Sequence, residues 1–153
     1  MIQRIQSVYL FLVFIVYILL FFLPIATYTT IATGSIEHTV TNFSLLGITH
    51  TNSNSTVPLM AVVVILALAV LVTIFLYKKR LLQIKITAIL LLAHIGFIAA
   101  LFYAADSVAK KVGVQAVYDT GAYIALVPLV FLVLANRAIR RDEKMVRNTD
   151  RLR

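Results

Sequence analysis

From Val8 to Leu23 the chain runs sixteen residues with nothing more polar than Tyr9 and Tyr17, and three later stretches match that length. A hydrocarbon core about 30 Å thick is crossed by roughly 20 apolar residues of α-helix at 1.5 Å rise each. Inside it no water satisfies backbone N–H and C=O groups, so such runs fold as helices. Four spans are predicted, at about 5–25, 57–77, 84–105 and 119–135. Pro24 marks the exit of the first, and Pro58 stands in the first turn of the second, where a missing N–H costs nothing. The first run exceeds the roughly 7–15 residues of a signal-peptide core and is expected to stay in place.

Composition supports the same class. Of 153 residues, 61% are hydrophobic and 13% charged, against about 45–50% and 25% in ordinary soluble domains. A chain this short cannot hide that excess, because small domains bury only about two-thirds of the surface that their unfolded chains expose. With no cysteine, disulfide frameworks and thiolate metal sites are excluded.

Basic residues flanking spans are retained on the cytoplasmic side. Twelve of the fourteen Lys and Arg fall on one side: Arg4, Lys78, Lys79, Arg80, Lys85 and seven from Arg137 onward. Only Lys110 and Lys111 fall on the other. Both termini and the second connection are therefore expected in the cytoplasm, with 26–56 and 106–117 outside. The same cationic face is expected to meet anionic lipid. The net charge of +8 also suits a nucleic-acid binder, but the tail has no aromatic platform for bases, so no nucleic-acid partner is expected.

Thirteen of the thirty residues from Thr27 to Thr56 are Ser or Thr. Thr27–Thr33 and Ile36–Leu45 have strand-forming composition around Gly34–Ser35, which predicts a small β-hairpin. A free two-stranded ribbon is marginal in water, so it either rests on the helix ends as a lid or offers its edge to a partner. Thr49–Thr56 has no apolar anchor and is expected to be a linker. The tail 136–153 contains neither Gly nor Pro and is expected to extend the fourth helix, with Glu143 and Arg147 spaced for an i,i+4 pair.

Ionisable residues within spans ask for a reason. His94, at the centre of the third span, is the one at mid-depth. It serves either as a helix–helix hydrogen-bonding group, with Tyr17, Thr73, Tyr103 or Tyr123 as partner, or as a proton relay or ligand contact. Asp106 and Asp119 flank the second outer loop, as charges neutralising Lys110 and Lys111 or as an acid–base pair. Asn136, Arg137, Arg140 and Arg141 open the tail and complete the candidate functional residues. No cofactor, metal or catalytic motif is found, and no candidate unites a nucleophile or base with an orienting partner, so an enzyme is not expected. Gly96, Ala100 and Ala104 form a small-xxx-small stripe, and Gly121 with Ala125 repeats the spacing, both favouring close helix packing. Pro128 removes one helix hydrogen bond and predicts a kink or a local water near Ile124 and Val127, either structural or a hinge.

The opening MIQRIQSVYL (Met1 to Leu10), the run Asn136-Arg137-Ala138-Ile139-Arg140-Arg141-Asp142-Glu143 and the closing Asp150-Arg151-Leu152-Arg153 resemble domain-of-unknown-function family 4293 of the Bacteroidota. The resemblance covers the whole chain and implies a four-span protein of a bacterial cytoplasmic membrane without assigned activity. The expected architecture is thus an all-α, four-helix up-down membrane bundle in one domain, 1–153, with an outer hairpin and a cytoplasmic helical tail. The expected role is a non-enzymatic interaction or assembly subunit, joined to a membrane partner or to further copies of itself. The alternative is a small transporter or proton-linked carrier using His94.

Overall fold

The computed structural model describes residues 3–31, 38–45, 47–48 and 56–150. Helix α1 covers Gln3–Phe22, α2 Val57–Phe75, α3 Arg80–Val112, α4 Thr120–Ile124 and α5 Val127–Asp150. Strands β1 Ala26–Ile31, β2 His38–Ser44, β3 Gly47–Ile48 and β4 Val117–Tyr118 complete the chain. Four helical segments are long and apolar enough to cross a membrane: Ile5–Phe22, Val57–Phe75, Arg80–Lys111 and Thr120–Met145, the last comprising α4 and α5. Only 28–33% of the residues in their most apolar windows are buried within the chain, so most of that apolar surface faces outward.

The buried residues fall on narrow seams. On α2 they are Leu59, Val63, Leu66, Val70 and Thr73. On α3 the seam runs through Gln83, Thr87, Leu90, His94, Phe97 and Leu101. Steps of four and three alternate, which keeps one stripe facing the bundle interior as in a left-handed helix pair. Residues off the seam are equally apolar and exposed, as with Leu92 at 69% and Ile65 at 64%. Helix α3 extends one turn before and two turns beyond the expected span and ends at Gly113, whose φ of 75° is the left-handed conformation a glycine C-cap favours.

The expected hairpin is part of a larger sheet. Four antiparallel strands stand in the order β3-β2-β1-β4, with Tyr28 opposite Thr41 and Ala26 opposite both Phe43 and Tyr118. Strand β4 comes from the second outer connection and pairs with β1, taking up part of the edge a hairpin alone would leave free. Ala26, Tyr28 and Phe43 are buried in the same cluster as the helix seams, and the Tyr28 hydroxyl donates to the Ala105 carbonyl of α3 at 2.8 Å. The sheet thus rests on the helix ends as a lid. Burial, with Tyr118 and Asp106 nearby, pushes the Tyr28 hydroxyl up to about 12, which keeps it a donor at neutral pH. The turn expected at Gly34–Ser35 and residues 49–55 of the linker expected over Thr49–Thr56 lie outside the described residues, while Thr56 is buried as the N-cap residue of α2.

At Gly121 the end of α1 meets the start of α4. Its N–H donates to the Pro24 carbonyl at 2.9 Å, and a Cβ there would stand 2.5 Å from that same oxygen. Both obstructing atoms, Pro24 O and C, are backbone, so relief requires the chain to move. Gly121→Ala is therefore expected to lower stability in detergent by about 1–3 kcal/mol, read from the thermal unfolding midpoint. Gly96→Ala, where nothing lies within 4 Å, should leave it unchanged or slightly raised.

Candidate functional site

Pro128 has no N–H to offer the Ile124 carbonyl. The helix breaks between α4 and α5, and the Leu129 N–H turns to the Leu126 carbonyl at 3.2 Å. The Ala125 carbonyl loses its partner of one turn later. His94 supplies the replacement: its Nε2 lies 3.0 Å from the Ala125 oxygen, and its Nδ1 lies 3.0 Å from the Tyr17 hydroxyl.

A carbonyl only accepts, so Nε2 carries the hydrogen. In the neutral imidazole Nδ1 is then the acceptor for Tyr17. The imidazole is fully buried, with the Tyr17 ring edge-on at 5.5 Å and Phe97 at 5.8 Å. Of the four partners open to His94 in the sequence, the structure uses Tyr17. One side chain thereby joins α1, α3 and the α4–α5 break. Both ring nitrogens are engaged by the chain itself, and the described residues contain no group of three or more His, Cys, Asp or Glu able to hold a metal ion.

Asp106 and Asp119 have separate structural partners. Asp106 accepts from the Tyr118 hydroxyl at 2.8 Å. That hydroxyl is raised to about 12, by burial first and then by its bond to Asp106, so it too remains a donor at neutral pH. Asp119 caps α4, accepting from the Thr120 N–H at 2.6 Å and its hydroxyl at 3.1 Å.

Among the packing candidates, Gly121 and Ala125 are buried inside the bundle and Ala104 is half-buried against its core. Gly96 and Ala100 face outward. On the tail, Arg140 Nε donates to Asn136 Oδ1 at 2.8 Å, and Arg137 and Arg141 are exposed. The side chain of Arg147, expected to pair with Glu143, lies outside the described residues.

A second polar layer at the end opposite the sheet was not singled out by sequence reasoning. Gln6 on α1 donates through Nε2 to Asp142 Oδ2 on α5. Gln83 on α3 donates to the Thr73 carbonyl of α2 at 3.2 Å, and Thr87 donates to the Gln83 carbonyl at 2.8 Å. All five residues are buried. Asp142 Oδ1, Gln83 Oε1 and Arg80 Nη1 are buried there without a hydrogen-bond partner among the described residues. The available signal was polarity inside an apolar span: Gln6, Thr73, Gln83 and Thr87 interrupt the apolar runs or their edges, and each sits on an inward seam. Asp142 carried no such signal, because it stands in a charged run.

The model of the family described as Domain of unknown function (DUF4293) matches residues 2–152. The chain belongs to this family. No curated protein and no solved structure matches it. Within this member of the family, His94 ties α3 to α1 through Tyr17 and to the α4–α5 break through Ala125.

Tyr17→Phe and His94→Phe test that role as a double-mutant cycle. Interhelical hydrogen bonds in membranes couple by about 0.6 kcal/mol on average and up to about 1.7. A coupling in that range, measured by denaturant titration in detergent, is expected; additivity within 0.3 kcal/mol would mean that the bond contributes nothing.

Proposed function

We propose that this chain is a multi-pass protein of a bacterial cytoplasmic membrane that acts as an assembly subunit, through contacts between its helices and those of another membrane protein or a second copy. Its four spans alternate in direction, with the sheet outside and both termini in the cytoplasm. The positive-inside distribution of Lys and Arg supports that orientation. Meeting points at the helix ends support the alternation: Gln6 of α1 bonds Asp142 of α5 at one end, and Pro24 bonds Gly121 at the other.

The observation that carries the assembly reading is the outward face of α3. Gly96 and Ala100 are exposed, and no atom of the chain lies within 4 Å of a Cβ built on Gly96. A glycine inside a helix costs about 0.5–1 kcal/mol relative to alanine, and no contact among the described residues offsets that cost. Small residues one turn apart admit a second helix backbone at close range. His94 fits the same reading as an internal brace, since both its nitrogens are committed to neighbouring helices.

A photo-crosslinking residue at Ala100, in native membranes, is expected to give a discrete protein adduct that one at Ile65 does not. Gly96→Leu should abolish that adduct while leaving the monomer's unfolding midpoint unchanged or raised. Lipid adducts alone at both positions would refute assembly through this face.

A further inference from the structure

At the end opposite the sheet, α1 and α5 enclose a cleft of about 430 Å³ whose walls are of two kinds. Ile5, Tyr9, Leu134 and Met145 are apolar, while Arg137, Arg141 and Asp142 are charged. Tyr9 is held in its wall by stacking on Phe131, with ring centroids 6.3 Å apart.

Arg137 and Arg141 lie one turn apart on α5 and are exposed. Asp142 is only 4% exposed. Gln6 donates to its Oδ2 and fixes the carboxylate, and its Oδ1 has no partner among the described residues. A buried carboxylate oxygen without a donor is costly, and a native structure that keeps one asks for a missing partner. The cleft therefore presents two guanidinium groups and an apolar wall that continues along the span, with Asp142 in its lining and the unpartnered Oδ1 buried just beneath its surface.

We propose that this cleft binds the headgroup of an aminophospholipid, with its phosphate diester on Arg137 and Arg141 and its primary ammonium on Asp142. The first acyl methylenes lie against Ile5, Tyr9 and Leu134. Charge complementarity selects this occupant. The phosphate matches the guanidinium pair, which recognises it by charge-assisted, often bidentate hydrogen bonds. An ammonium supplies three donors and a positive charge to a carboxylate that has an acceptor to spare. A choline headgroup carries the same charges with no N–H, and an anionic phosphatidylglycerol brings no cation to Asp142. The site rests on the membrane reading given above and adds a ligand to it.

The test uses the full chain in detergent and native mass spectrometry against lipids of matched acyl chains. Phosphatidylethanolamine is expected to bind about tenfold more tightly than phosphatidylcholine, the difference of one charge-assisted hydrogen bond. Asp142→Asn should bring that ratio within about twofold, and R137Q with R141Q should weaken both lipids in parallel. Glycerophosphoethanolamine, which has no acyl chains, should bind at least about a hundredfold more weakly. Equal affinity of the wild-type chain for the ethanolamine and choline lipids would overturn the proposal without needing any variant. So would a preference for phosphatidylglycerol over phosphatidylethanolamine, or binding of the chainless headgroup as tight as that of the lipid. A chain that stays monodisperse without amphiphile would instead defeat the membrane reading itself, which separates the two failures.

Discussion

Hydrocarbon offers no hydrogen bonds, so polar groups at mid-depth in the apolar helices need partners within the chain, and the arrangement at the middle of this bundle follows from that constraint. It is most visible where Pro128 breaks the last span. The break leaves the Ala125 carbonyl without its helical donor, and His94 reaches from α3 to supply one at 3.0 Å while Tyr17 answers the other ring nitrogen. A proline kink and a mid-span histidine are thus two parts of one device, each costly alone and compatible together.

The four spans could be read from the length of their apolar runs, because bilayer thickness sets that length directly. Helix rotation could not. In a soluble helix the polar face reveals the buried one, but here Leu92 and Ile65 on the outer face are as apolar as Leu90 and Leu66 on the seams. The few polar residues carry the missing information: Thr73, Gln83, Thr87 and His94 all point inward. Tyr17 could be named among four partners for His94 but not chosen, since the choice depends on that rotation. Strands β1 and β2 were legible in Thr-rich, aromatic and β-branched composition. Strand β4 was not, because two residues, Val117 and Tyr118, become a strand only by pairing with β1. Asp142 was hidden by its neighbours, a single buried carboxylate within a run of exposed charges.

The two ends of the bundle are built differently. At one, the sheet is fastened to the helices by Tyr28 on Ala105, Gly121 on Pro24 and the Asp119 cap of α4. At that end Tyr118 also donates to Asp106, and a cleft lined by Asp106, Lys110 and Gln115 opens beside the sheet. At the other, Asp142, Gln83 and Arg80 each keep a buried polar atom without a partner among the described residues, and clefts lined by Arg137 and Arg141 or by Lys79, Arg80 and Lys85 open beside them. The bundle braces itself internally through His94, and the binding chemistry proposed for it lies at the charged end.

The central claim, a bundle embedded in lipid with its sheet outside, is tested most directly by single-cysteine labelling, for which this cysteine-free chain is a clean background. Cysteines would replace Gln115 near the sheet, Lys144 on the tail and Leu92 on the outer face of α3, all of which are exposed on the isolated chain. With a membrane-impermeant maleimide, Gln115→Cys is expected to react in intact cells, Lys144→Cys only after permeabilisation, and Leu92→Cys in neither case. Reaction of Leu92→Cys as readily as Gln115→Cys, or of Lys144→Cys in intact cells, would contradict the account.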